Sequence, residues 1–197
     1  LCRASLLVGR TSRQRLIAIA QIGPPVVEPG HVIDRLIGPW LELTDTADLR
    51  TSPLLRNLAD ETRGQDWARQ MHGSIAWAWL SERTIDASDV STLLLHSMIG
   101  RTAGPIVRIL PSLLSAPEDV WKQIGETAQI YAQIGIGDGH ESPFSKPVDT
   151  AAFRILQLRI AERSDEKLVR PIVAQALKEA DAREPGDVAA EFFDFLF

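Results

Sequence analysis

The 197-residue sequence holds a single cysteine, Cys2, so it can form no internal disulfide and is expected in a reducing, cytoplasmic compartment. It has no apolar run approaching the ~20 residues that a helical bilayer span requires. The most apolar stretch, Leu93–Ile99, is broken by His96 and Ser97, and no membrane partner is expected. Positive charge is not in excess either. The 21 Lys and Arg are outnumbered by 26 Asp and Glu, and a net charge of −5 argues against a broad nucleic-acid surface.

Motifs that carry chemistry are missing as well. Gly9-Arg10-Thr11-Ser12 and Gly100-Arg101-Thr102-Ala103-Gly104 both lack the glycine–lysine pair with which a P-loop reaches terminal phosphates. Gly73-Ser74 lacks the second glycine and the preceding strand of a nucleophile elbow. No His-Glu-x-x-His and no cysteine pair supplies a metal site. The expectation is no enzyme, no catalytic residue, no metal and no cofactor within these residues.

What is present is an ordinary globular composition, 45% hydrophobic and 24% charged, which excludes a disordered chain. Ser12 can cap a helix through Arg13–Ala20, and Gly23-Pro24-Pro25 stops it. Pro29 suits the first turn of a second helix whose apolar face is Val32, Ile33, Leu36 and Ile37. Two short strands follow, Trp40–Leu43 and Leu49–Thr51, joined by the polar turn Thr44–Asp48. After Pro53 the periodicity is helical, over Trp67–Leu80, Val90–Ile99, Ile106–Leu114, Val120–Ile134, Thr150–Ala161 and Lys167–Ala182, with a last piece from Asp187. Asp165 is the expected cap of the helix holding Leu168, Ile172 and Leu177. Short connections between these helices suit antiparallel pairs of an α-solenoid, although no 34-residue repeat emerges.

The stretch from Leu6 to Ala59 resembles the winged-helix segment that follows the nucleotide-binding core of STAND-type signalling ATPases, the bacterial relatives of NB-ARC and apoptotic-ATPase regulators. The resemblance is carried by Ser5-Leu6-Leu7-Val8-Gly9-Arg10, Ala18-Ile19-Ala20, Pro24-Pro25 before Pro29-Gly30, Leu36-Ile37-Gly38-Pro39-Trp40-Leu41-Glu42, and Leu49-Arg50-Thr51-Ser52-Pro53-Leu54-Leu55-Arg56. It implies a winged helix followed by a helical, TPR-like arm. Many such proteins carry a nucleotide-sensing Met-His-Asp signature where the wing returns to helix; here that place reads Thr51-Ser52-Pro53. The resemblance therefore offers Ser52, through its hydroxyl, as the nucleotide-sensing position.

Other residues are weighed on their own chemistry. A second winged-helix helix presenting His31, Asp34 and Arg35 has no obvious base-reading pair, and Asp34 repels phosphate, so nucleic acid is not the expected partner. The loop Gly135–Pro147 carries Asp138, His140 and Glu141, which lie too close together to surround a metal ion and read as a turn. His72 and His96 sit on apolar helices and read as packing residues. Trp77 and Trp79, two apart, point in different directions on a helix, so one can enter the core while the other meets a partner. Phe193 and Phe195 belong to an aromatic tail that also reads as a contact.

The sequence thus predicts a mainly α protein with a winged-helix-like domain over 1–60 and a helical-hairpin arm over 61–197. It is expected to be a non-catalytic sensor segment of a larger STAND-type NTPase, meeting a protein partner or other domains of the same chain and oligomerising through the parent ATPase. Two alternatives are a stand-alone helical protein-binding module and a winged-helix DNA-binding regulator.

Overall fold

The computed structural model describes residues 1–80, 85–137 and 142–181. The chain is mainly helical with one small three-stranded sheet, and it divides into two compact units, Leu1–Arg83 and Thr84–Phe197. The boundary expected near residue 60 falls inside the first of them.

The first unit runs α1 (Cys2–Ser5), β1 (Arg10–Thr11), α2 (Arg13–Ala20), α3 (Pro29–Leu36), β2 (Leu41–Leu43), β3 (Leu49–Thr51), a 3₁₀ turn at Pro53–Leu55, α4 (Leu58–Arg63) and α5 (Gln65–Trp79). Ser12 caps α2 as its residue type predicts, its Oγ accepting from the Arg15 amide at 3.1 Å. The other end of α2 is closed from outside the helix. The Arg3 guanidinium donates to Ala20 O at 2.5 Å and, more weakly, to Ile19 O at 3.4 Å, adding a second donor to carbonyls that accept from the Val26 and Ile22 amides beyond the helix. Its second terminal nitrogen donates to Pro24 O at 2.6 Å, tying down the loop that follows.

The sheet is antiparallel, in the order β1-β3-β2, with Thr11 opposite Leu49 and Leu43 opposite Leu49 on the other side. Strand β1 has no counterpart in the expected two-strand hairpin. Two residues carry no readable alternation, and they are strand only because β3, almost 40 residues on, offers a free edge. Leu6, Leu7, Leu16, Ile19, Ile33, Leu41, Leu49 and Leu55 form the buried interior around the sheet.

The second unit is helical throughout its described residues: α6 (Ala87–Ile99), α7 (Gly104–Leu114), α8 (Glu118–Ala128), a 3₁₀ stretch at Gln129–Gln133, α9 (Pro147–Ser164), a 3₁₀ turn at Glu166–Leu168 and α10 (Val169–Asp181). A reciprocal capping box starts α6, with the Asp89 amide donating to Asp86 at 2.9 Å and the Asp86 amide to Asp89 at 3.2 Å. Asp165 accepts from the Lys167 amide at 3.2 Å, as expected of a cap, but the turn it opens is 3₁₀. The α-helix proper begins only at Val169, so Pro171 falls in its first turn, where a missing N–H costs nothing.

Helix α9 is the centre of this unit. It packs against α7, α8 and α10, and from Thr150 to Gln157 every residue is buried, whichever way it points. The all-round burial explains why amphipathic patterning is faint there. Phe144, in the loop before α9, meets Phe153 edge to face with ring centroids 5.4 Å apart. The helix expected over Val120–Ile134 tightens at Gln129 for a tertiary reason. Gln157 of α9 donates to Tyr131 O at 2.7 Å and Ile134 O at 2.8 Å, drawing those carbonyls sideways, and Gly135 then turns away with φ +65°.

Among the described residues no helix is long and apolar enough to cross a membrane.

Candidate functional site

A cavity of about 270 Å³ opens within the first unit. Its walls come from three elements fixed by local sequence: α2 supplies Leu16, Ile19 and Ala20, α3 supplies Val32, Ile33 and Leu36, and β2 supplies Leu41. Pro24 and Val26 of the α2–α3 loop also line it, as does α1 through Cys2, Arg3 and Ala4. Arg63 from the end of α4 and Trp67 from the start of α5 complete it. Among the described residues no acidic side chain lines it, whereas two guanidinium groups do.

The two arginines are in different states of satisfaction. Arg3 has most of its donors committed to the carbonyls of Ile19, Ala20 and Pro24. Arg63 lies over the face of Trp67, 5.8 Å from the ring centroid, and among the described residues no oxygen accepts a hydrogen bond from it. Stacking uses the face of the guanidinium and leaves its N–H edge available. The Arg3 pKa is held below the usual arginine value, first by partial burial and then by the charge of Arg63. The electrostatic character of the cavity is therefore cationic against an apolar wall.

The residues singled out from the sequence lie elsewhere. Ser52 stands at the end of β3 and caps the Pro53–Leu55 turn, its Oγ accepting from the Leu54 amide at 3.4 Å and its own amide donating to Trp40 O at 2.9 Å. Trp79 is 2% exposed, with the Arg15 guanidinium 4.9 Å from its ring centroid, and Trp77 is 45% exposed. The two tryptophans thus diverge as their spacing requires. Phe193 and Phe195, the helical piece from Asp187, and the Asp138, His140 and Glu141 group lie outside the described residues. His72 is buried, and desolvation holds its imidazole below the ordinary histidine pKa against an opposing pull from Asp60. His96 is fully buried.

A second polar cluster was also illegible in the sequence. Arg154 of α9 is 0% exposed, and each of its five N–H groups donates. Nε and Nη2 grip Glu179 of α10 at 3.0 and 2.6 Å, Nη1 reaches Gln157 Oε1 at 2.7 Å and Ile134 O at 3.2 Å, and Nη2 also reaches Gly135 O at 2.7 Å. The arrangement closes the α9–α10 pair and pins the start of the glycine-rich loop. It can hold a backbone in place, and it has no donor left for a ligand.

What could have flagged these residues is slight. Arg63 and Trp67 are four apart across the α4–α5 junction, a spacing that suggests a stacked pair only if the chain stays helical through Gly64. Nothing in the sequence around Arg3 distinguishes it from the neighbouring Arg10, Arg13 and Arg15. In comparisons with known proteins, no family model, no curated protein and no solved structure matches this chain.

Proposed function

We propose that the chain is a non-catalytic regulatory segment of a larger STAND-type NTPase, passing ligand or partner binding on through a winged helix and a helical arm. The observation that carries this reading is topological. Helices α2 and α3 followed by strands β2 and β3 support the helix–helix–hairpin order expected of a winged helix, and β1 adds to the free edge of β3. In the second unit the substantial packing is between helices one or two places apart, α6 with α7 and α8, α9 with α7, α8 and α10. Packing confined to helices close in sequence is compatible with stacked helix pairs.

A protein surface fits the first unit better than duplex DNA. Asp34 on the exposed side of α3 holds Arg13 in a two-pronged ion pair, 2.8 Å at its shortest, so that arginine is not offered to a phosphate. The turn between β2 and β3 carries Asp45 and Asp48, whose charge opposes a nucleic-acid backbone. Ser52 accepts from Leu54 and keeps its own O–H to donate, which is compatible with a phosphate contact at the nucleotide-sensing position. In this reading a ligand acts by favouring one of two arrangements of the parent protein, with a coupling set by its differential affinity for them.

The decisive test is the coding sequence upstream of Leu1. A Walker A motif followed by an acidic Walker B motif would sustain the proposal, and an open reading frame without them would sink it. Duplex binding that persists at ~50 mM salt and weakens steeply as salt rises would favour the DNA-binding alternative instead.

A further inference from the structure

We propose that the cavity of the first unit binds a short amphipathic organic anion, with the apolar tail among Leu16, Ile19, Val32 and Leu36 and the anionic head on the Arg63 guanidinium. The inference does not depend on the regulatory reading above, because it concerns one cavity within one unit.

Three observations carry it. The walls contributed by α2, α3 and β2 are aliphatic, so the bulk of an occupant must be apolar. The described lining residues include two guanidinium groups and no carboxylate, so an occupant with a negative head is favoured over a neutral or cationic one. Arg63 lacks an acceptor among the described residues, while its stacking on Trp67 orients the N–H edge in advance. Size narrows the class further. At about 270 Å³ the cavity lies just below the ~300–1,000 Å³ usual for small-molecule sites, which suits a short tail better than a long-chain lipid. Arg3 has both terminal nitrogens engaged with backbone carbonyls, so its main part is to supply charge and hold the wall in place.

The probe is sodium octanoate, titrated calorimetrically into the 197-residue chain, with octanol and octylammonium as neutral and cationic matches of the same tail. Octanoate is expected to bind saturably, about tenfold or more tighter than octanol, in keeping with one charge-assisted hydrogen-bonded pair. Octylammonium is expected to bind more weakly than octanol. Arg63 is exposed at a helix end, so Arg63→Gln should fold normally, retain octanol binding and lose the preference for octanoate. Val32→Trp, at a partly exposed wall position, should fill the tail site and remove both, with circular dichroism showing that the helices persist. The proposal is overturned if octanoate gives no saturable heat, if it binds no better than octanol, or if the preference survives Arg63→Gln.

Discussion

Arg154 and Arg63 put the same guanidinium to opposite uses. In the second unit Arg154 is fully buried and every N–H has an acceptor, so its charge is spent on Glu179 and on the carbonyls of Ile134 and Gly135. In the first unit Arg63 stands exposed beside an apolar cavity with an aromatic face beneath it and no acceptor among the described residues. The difference teaches how to tell a structural cation from a receptive one. Burial with complete hydrogen bonding marks the first, and accessibility with an unused donor edge marks the second.

The comparison can be broken at Arg154 first, where the largest effect is expected. Arg154→Ala removes one partner of a buried pair, leaving Glu179 without its cation and Gly135 O and Gln157 Oε1 without their donor, a change that typically costs about 3–5 kcal/mol. Urea denaturation followed by tryptophan fluorescence would measure it, and a loss under ~1 kcal/mol, the range of exposed ion pairs, would refute the structural assignment. Close behind comes Phe153→Ala, which empties a fully buried position against Phe144 and should cost about 3–5 kcal/mol. Hydrogen exchange should report both losses in α9 and its neighbours. At Arg63 the expectation is inverted. Arg63→Gln should change stability by no more than about 0.5 kcal/mol, the usual range for surface substitutions, while abolishing the octanoate preference.

The smaller effects concern pH. Burial holds the His72 imidazole below its ordinary pKa, so the unfolded chain takes up a proton before the folded one does. Stability from this group is fully present above the unfolded value of ~6.5 and declines as the pH falls from there toward the lower folded value. Denaturation midpoints at pH 7.5 and 5.5 should therefore differ in the wild type and converge in His72→Gln. The Arg163–Glu118 pair supplies the opposite extreme. Its hydrogen bond to Arg163 is the largest cause lowering the Glu118 pKa, so any contribution is present above the usual glutamate range and is lost only in acid. Because the Glu118 side chain is largely exposed, Glu118→Gln should leave the neutral-pH midpoint almost unmoved.

Local signals proved readable where a residue acts on its immediate neighbours. Ser12 as the α2 cap and Pro29 as the α3 start depend on backbone groups within one turn, and both were legible. Long-range decisions were not. The two residues of β1 are strand because of β3, the 3₁₀ stretch after Ala128 follows from Gln157 reaching across from α9, and the cavity exists because Arg63 and Trp67 are brought to α2 and α3. The divergence of Trp77 and Trp79 was implied by helical spacing, but which of them is buried depends on where Arg15 and the α2 helix lie against α5.

By itself, then, the sequence determined the helical class, the starts of α2 and α3 and the hairpin, because capping, proline geometry and hydrophobic periodicity act over a few residues. Tertiary structure alone decided which arginine is buried and which is offered. A charge's environment is assembled from segments distant in the chain, and no local pattern encodes how many acceptors those segments will bring.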